Sequence, residues 1–282
     1  MRRRTFLFSL ISVAILICSC SGTKNVQQVN TGFGDSKEGA TVYFTSDIIP
    51  KGLVEIYKAL GVKPEGRVAV KISTGESSKS NHLRPELIAD LVHEVNGTLV
   101  ECNTAYGGSR ATTEAHRKAI KERGFEVVAP VDIMDAEEDI QIPVKDKSHI
   151  QYDIVGSHIK NYDFVINLAH FKGHAMGGFG GVLKNQSIGF ASSAGKLYIH
   201  SAGRTTTKWL DDDQDGFLAS TDPVALDQAC IDLVFNHKDT EGDTASPLQQ
   251  RINRQHGLHI LEHAEKIGLG GRKYMLKNID KR

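Results

Sequence analysis

Three imidazoles and three ammonium groups crowd one short stretch of this chain, interleaved with glycine. Residues 161–201 read NYDFVINLAHFKGHAMGGFGGVLKNQSIGFASSAGKLYIHS. An apolar run ends at His170, Lys172 and His174; Gly177, Gly178, Gly180 and Gly181 follow, then Lys184, Asn185, Lys196 and His200. Such a composition makes poor core, but it suits a site where backbone approaches a ligand and cationic side chains surround it. A neutral imidazole can carry a proton or hold a metal near neutral pH. The expected chemistry is capture of a small anion, a carboxylate or a phosphate, by Lys184 and Lys172, with His174 or His170 as proton carrier or metal ligand.

The spacing narrows these options. His170 and His174 are one helical turn apart, as paired metal ligands can be, but Gly173 and the Gly177-Gly178 pair argue against a regular helix there. The glycine run could present N–H groups to an anion at a helix start, through Gly178, Gly180 and Gly181 with Lys184 beside them. Neither the Walker pattern nor the Gly-x-Gly-x-x-Gly fingerprint fits, which disfavours a nucleotide. Asp211, Asp213, Asp215 and Gly216 match the opening of an EF-hand loop with Asp222 at position twelve, yet no entering helix is evident. No Gly-x-Ser-x-Gly elbow supports serine catalysis.

The elements that must position this chemistry alternate in type. Thr41–Thr45 reads as a strand, Pro50–Leu60 as a helix, Arg67–Ile72 as an apolar strand and Pro85–Val95 as a helix. Thr98–Cys102 is a strand, a helix runs from near Thr112 to Arg123 with Gly124 as its stop, and Phe125–Ala129 is a further strand. This order predicts an α/β fold with a mostly parallel central sheet and helices on both faces. Ile140–Val144 and Ile150–Val155 read as a small antiparallel addition at an edge, and Tyr162–Leu168 returns to the main sheet. Asp222 and Pro223 start a helix to about Phe235; two more helices fit Pro247–Gln255 and His259–Ile267, and Lys273–Ile279 reads as a last strand.

Ligands of open parallel sheets sit beyond the carboxyl ends of the strands. Three polar, glycine-containing segments fall there: Ser73–His82, Glu101–Arg110 and His170–Lys184. One shared cleft is therefore expected, adding Lys71, Glu76, Glu101, Asn103 and Arg110 to its lining. Lys71 and Glu101 stand out because each continues an apolar strand. Glu101 and Glu76 would orient the cationic groups or act as the partner acid.

The N-terminus carries a different signal. Arg2, Arg3 and Arg4 precede the apolar run Phe6–Ile17, and Ile17-Cys18-Ser19-Cys20 resembles a bacterial lipobox. The apolar run is shorter than a bilayer span of about 20 residues. The expectation is a lipoprotein signal peptide over 1–20, lipidation at Cys20, a flexible tether over 21–39 and one α/β domain over 40–282. The protein would then be exported and held to a bacterial membrane by its lipid. Net charge is zero and hydrophobic content 40%, which points away from nucleic acid. Past the lipobox only Cys102 and Cys230 remain, too few for four-thiolate ligation and read as buried thiols.

Five blocks resemble the domain of unknown function 362 family: VKISTGE (Val70–Glu76), VECNTAYGGSR (Val100–Arg110), APVDIMD (Ala129–Asp135), HFKGHAMGGFGGVLKN (His170–Asn185) and LASTDPVALDQAC (Leu218–Cys230). The likeness extends through LEHAEKIGLG (Leu261–Gly270). The resemblance implies an iron–sulfur association, since many members carry a ferredoxin-like insert or a cysteine-rich segment before the DPVA block. This chain has no cysteine between His200 and Asp222, so a cluster held by this chain alone is not expected, and a redox centre would have to come from a partner protein. More loosely, the His and Lys arrangement resembles the nickel-pincer lactate racemases. The preferred reading is a cofactor- or metal-dependent redox or proton-transfer enzyme acting on a small anion. A surface-tethered binding protein without turnover is the alternative, and a scaffold that has lost its cysteine segment is a third reading.

Overall fold

The computed structural model describes residues 10–15, 39–77, 79–80, 82–207, 222–236 and 246–280. Cys20 and the acidic run at Asp211, Asp213, Asp215 and Gly216 lie outside the described residues.

In chain order the elements are β1 (Leu10–Ile15), β2 (Ala40–Phe44), α1 (Pro50–Ala59), β3 (Val68–Lys71), α2 (Pro85–Glu94), β4 (Gly97–Glu101) and α3 (Thr113–Glu122). Next come β5 (Val131–Ile133), β6 (Asp139–Pro143), β7 (Tyr152–Gly156), β8 (Phe164–His170), β9 (Lys172–His174), β10 (Gly178–Gly180), α4 (Val182–Phe190) and α5 (Ser193–His200). The chain closes with α6 (Pro223–Asn236), α7 (Ser246–Arg254), α8 (Leu258–Lys266) and β11 (Tyr274–Asn278).

The central sheet is parallel, in the order β1-β8-β3-β4-β5. From β3 the chain moves outward through β4 to β5, then returns to place β8 on the other side of β3. That reversal makes the ends of β3 and β8 the topological switch point, where doubly wound folds open a crevice. Lys71 and Asn167 are register partners at that point. β1, which falls within the expected leader, takes the outer edge beside β8. Among the described residues no helix is long and apolar enough to cross a membrane.

Alternation along the strands decides which helix meets which face. Val68, Val70, Leu99, Ile166 and Leu168 pack with Leu53 of α1, Ile88 and Leu91 of α2 and Ile120 of α3. Each such side chain, fully buried, contributes about 1.5–3 kcal/mol. Ala69, Val100 and Val165 face the other way, toward Phe190 of α4. Lys71, two residues on from Ala69, therefore enters the α4 side.

Pro50, Pro85 and Pro223 begin α1, α2 and α6, where a missing N–H costs nothing. Thr112 caps α3 by accepting from the Ala115 N–H. Asp222 caps α6 by accepting from the Ala225 N–H at 3.1 Å.

Several expectations need correction. Phe125–Ala129 is not a strand: Phe125–Val127 form a 3-10 turn after Gly124, which sits at φ 79°. Phe125 dives into the core while Val127 is exposed, and the strand starts only at Val131. The hairpin of β6 and β7 is a separate two-stranded sheet, not an extension of the main one. β2 and β11 likewise form their own parallel pair. Cys102 and Cys230, by contrast, are free and buried as expected, in different core clusters.

Candidate functional site

A cleft of about 650 Å³ opens beyond the carboxyl ends of β3, β4 and β8. Of the expected residues, Lys71, Glu76, Glu101, Arg110, His170, Lys172, His174, Gly180, Gly181, Lys184, Asn185, Lys196 and His200 line it. Asn103 and Gly178 do not. Asn103 turns toward α3, giving its Nδ2 hydrogens to Thr113 Oγ1 at 2.9 Å and facing His116 Nδ1 with its Oδ1 at 3.2 Å. Gly178, at φ 76°, lies against Ile252 and Gly257, where a Cβ would come within 3.1 Å of Ile252 Cα.

One wall is a network of paired charge. Glu101 accepts from the Thr74 N–H at 3.1 Å, from the Thr74 hydroxyl at 2.7 Å and from Arg110, and it meets His116 Nε2 at 3.2 Å. Glu76 accepts from the other Arg110 nitrogen and from the Tyr106 hydroxyl at 2.7 Å. Burial alone would raise the Glu101 carboxyl, but Arg110, the His116 hydrogen bond and nearby Lys71 hold it well below the usual carboxylate range. Glu101 is thus ionised and fully engaged. It orients Arg110 and is not free to act as an acid.

Arg123 fixes the loop after β3 from behind, donating to the carbonyls of Thr74, Gly75 and Glu76 and to Ser109 Oγ at 2.7 Å. Arg123, His116 and Thr74 were not singled out in the sequence. Their types are ordinary for a helix end, a helix face and a strand end, and only the fold brings His116 and Thr74 to Glu101 and Arg123 to the loop beside it.

The opposite side is rich in lysine and poor in acceptors. Lys71 donates to the Ile72 carbonyl at 2.5 Å and to Asn185 Oδ1 at 3.2 Å. Asn185 in turn donates to Asn167 Oδ1 at 2.5 Å, and Asn167 donates to the Val182 carbonyl at 3.2 Å. Gly189 leaves room for the ammonium, since a Cβ there would stand 2.8 Å from Lys71 Nζ. Lys196 donates to the Ala191 carbonyl. Lys184, in the first turn of α4, has no hydrogen-bond or ion-pair partner among the described residues. Burial, and then the charges of Lys172, Lys196, Arg110 and Lys71, bring Lys184 down to about 8. Burial likewise lowers Lys71 to about 8 against the opposing pull of Glu101. The cleft is lined by five cations and two carboxylates, and both carboxylates are held by Arg110.

The glycine run does not cradle an anion as expected. Gly178–Gly180 pair with Lys172–His174 in an antiparallel hairpin. At the start of α4, the N–H groups of Val182 and Leu183 donate to the two oxygens of Asp227 on α6, at 2.8 and 3.0 Å. Gly181 is required because a Cβ would lie 2.2 Å from Asp227 Oδ1. The helix terminus is therefore occupied by a protein carboxylate from the DPVALDQAC segment. Burial pushes Asp227 up to about 7, although these two hydrogen bonds pull the other way.

Two cleft imidazoles are held in opposite tautomers. His174 Nδ1 accepts from the Met176 and Gly177 N–H groups, at 3.3 and 3.1 Å. Burial, followed by the charge of Lys184, lowers His174 to about 3, so the ring is neutral and its Nε2 carries the hydrogen. His82 faces the Ser80 carbonyl with its Nδ1 at 2.9 Å, so it donates there and keeps Nε2 as an acceptor. Burial also lowers His82. His82 lines the cleft, but the sequence named it only as the end of a loop.

The donor set does not fit the metal groups considered. The Nδ1 lone pair of His174 is committed to backbone, and its Nε2 is a donor. Among the described residues no three His, Cys, Asp or Glu side chains converge to hold a metal ion. Cys102 lines the cleft but donates to the Phe190 carbonyl at 3.4 Å, and burial pushes its thiol up to about 12. Cys230 packs with Phe171, Phe179 and Ile231. Two separated thiols cannot supply the four ligands of an iron–sulfur cluster.

No curated protein and no solved structure is similar enough to the chain to count as a match. The family described as Domain of unknown function (DUF362) matches residues 68–214, from the start of β3 to beyond α5. That span holds all the cleft-lining residues named above, whereas Asp227, which closes the start of α4, lies past it. With about half its length matched, and that half carrying the cleft, this chain belongs to the DUF362 family.

Proposed function

We propose that the protein is a proton-transfer enzyme whose cleft binds a small anion carrying a carboxylate or a phosphate. The observation that carries this reading is the Lys184 ammonium, which lies in a cluster of cations without an acceptor of its own among the described residues, while both cleft carboxylates are already spent on Arg110. The ammonium is half-buried and set among like charges, which disfavours it unless a counter-charge is near, and a bound oxyanion is the group that would supply one. The anion would rest between Lys184, Lys172 and Lys196. His174 would donate a hydrogen bond from Nε2 to the substrate and keep its hydrogen, and His82 would accept a proton at Nε2. Asn185 and Asn167 are positioning residues that hold Lys71.

Titration calorimetry with inorganic phosphate and with malonate tests the anion reading. Saturable binding that weakens at least tenfold in Lys184→Met, equivalent to about 1.4 kcal/mol, is expected, with unchanged circular dichroism. Equal affinity in the variant, or no saturable binding of either anion, would remove the proposal.

The order of basic, apolar and lipobox residues before Ser21 supports placing this activity outside the cytoplasm, tethered through a lipid on Cys20. Incorporation of labelled palmitate that disappears in Cys20→Ala is the expected result. Labelling that persists would refute the anchor.

A further inference from the structure

We propose that Lys184 is a nucleophile that forms a Schiff base with the carbonyl group of a small oxo acid. The inference deepens the anion-binding reading and rests on it. It starts from a difference among the lysines of one cleft. Lys71 gives its hydrogens to a carbonyl and to Asn185, and Lys196 gives its own to the Ala191 carbonyl. Lys184 gives its hydrogens to no group among the described residues, although it is the lysine placed on the rigid first turn of α4. An ammonium meant only to hold charge would gain from an acceptor, as its two neighbours do.

The surroundings favour the free amine. The charges that act most on Lys184 are those of Lys172, Lys196, Arg110 and Lys71, all cations. Amines activated for imine formation are those desolvated or set beside another cation. With Lys184 brought down to about 8, a usable share of amine exists at neutral pH.

The same neighbours specify the partner. Lys172 and Lys196 would hold a carboxylate. His174, which Lys184 influences directly, keeps a hydrogen on Nε2 and is suited to donate to a carbonyl oxygen. The ligand class that combines both features is a short oxo acid.

The step balances without an oxidant or a reductant. Once the ammonium has given one proton to base, the amine lone pair forms the C–N bond and the carbonyl π pair moves to oxygen. That oxygen takes up two protons, the one the base returns and a second lost from nitrogen, and the C–O bond breaks to release one water. The third hydrogen stays on the iminium nitrogen, so total charge is conserved.

Reductive trapping reads this directly. The full chain is incubated separately with pyruvate, oxaloacetate and acetoacetate, treated with borohydride, and measured by intact mass and peptide mapping. The expected result is a single saturable adduct at Lys184 with at least one of the three acids. Lys184→Arg keeps the charge but cannot form an imine. It should still bind phosphate and malonate by calorimetry while losing the adduct.

Retained anion binding without any adduct in the wild type would overturn the Schiff base and leave the anion site standing. An adduct spread over several lysines, or one that persists in Lys184→Arg, would also overturn it. Loss of both oxyanion binding and adduct would remove the two readings together.

Discussion

The two sides of the cleft handle buried charge in opposite ways. On the β3–β4–α3 side, Arg110 pairs through its two terminal nitrogens with Glu101 and Glu76, His116 meets Glu101, and Arg123 ties down the backbone around them. On the β9–α4–α5 side, Lys172 and Lys184 face the same space with no carboxylate between them. Charges of the first kind hold a shape. Those of the second kind cost stability until something arrives, because desolvation is not offset by pairing. A family of side chains that looks uniform by charge thus divides, by partner, into frame and site.

The largest test of that division is Glu101→Ala. It would leave the Arg110 guanidinium buried without its more buried carboxylate, and removing one partner of a buried pair costs about 3–5 kcal/mol. Denaturant melts should show a loss of that order. A loss below about 1 kcal/mol, the range of exposed pairs, would mean that the wall is no frame. Asp227→Ala comes next. It strips the acceptor from the Val182 and Leu183 N–H groups, and loss of a helix cap costs about 0.5–2 kcal/mol. Hydrogen exchange at those two amides should accelerate while the β3 and β4 amides stay protected. Uniform acceleration would show instead that Asp227 acts on the whole fold.

The frame and the site were not equally legible in the sequence. Strand-end lysine and glutamate, Lys71 and Glu101, were visible because an apolar strand does not ordinarily carry a charge. The gathering of His170, Lys172, His174 and Lys184 was visible as composition. The helix starting at Val182 is hard to read, since its first turn follows four glycines, the last of which, Gly181, admits Asp227 from a helix more than forty residues later. For the same reason the glycine run resembled an anion loop. Its N–H groups are taken by a partner that only the tertiary fold supplies. The tautomers of His174 and His82 depend on backbone groups two or three residues away, Met176, Gly177 and Ser80, in geometries that spacing does not reveal. The misplaced strand at Phe125–Ala129 had the right apolar content, but Gly124 at positive φ turns the chain before pairing can begin.

A smaller effect, of opposite sign to the first two, sharpens the contrast. Lys184→Met removes a half-buried ammonium that has no partner among the described residues and sits among cations, so in the absence of anion the variant should be more stable by about 1 kcal/mol, a part of what desolvation and like charge cost. Urea melts without phosphate or other multivalent anions measure it. A variant less stable than the wild type by a similar amount would mean that Lys184 has a structural role after all.

The smallest effect is a slope with pH. Lys184 and Lys71 are both brought down to about 8 in the folded protein, whereas an unfolded lysine titrates near 10.4. Between those values the unfolded chain binds more protons than the folded one, so stability rises with pH across that window. Below about 8 both states are protonated and the contribution is level, at its least favourable. Thermal melts from pH 8 to 10 in anion-free buffer should therefore show a rise from these two groups, and Lys184→Met should show roughly half of it. Phosphate bound in the cleft would favour the ammonium forms and flatten the slope. Bound phosphate should also be released progressively as pH climbs through the same window, with proton uptake on binding measurable near pH 8 by calorimetry in buffers of different ionisation heat. A slope identical with and without phosphate would show that the anion, wherever it sits, does not touch these lysines.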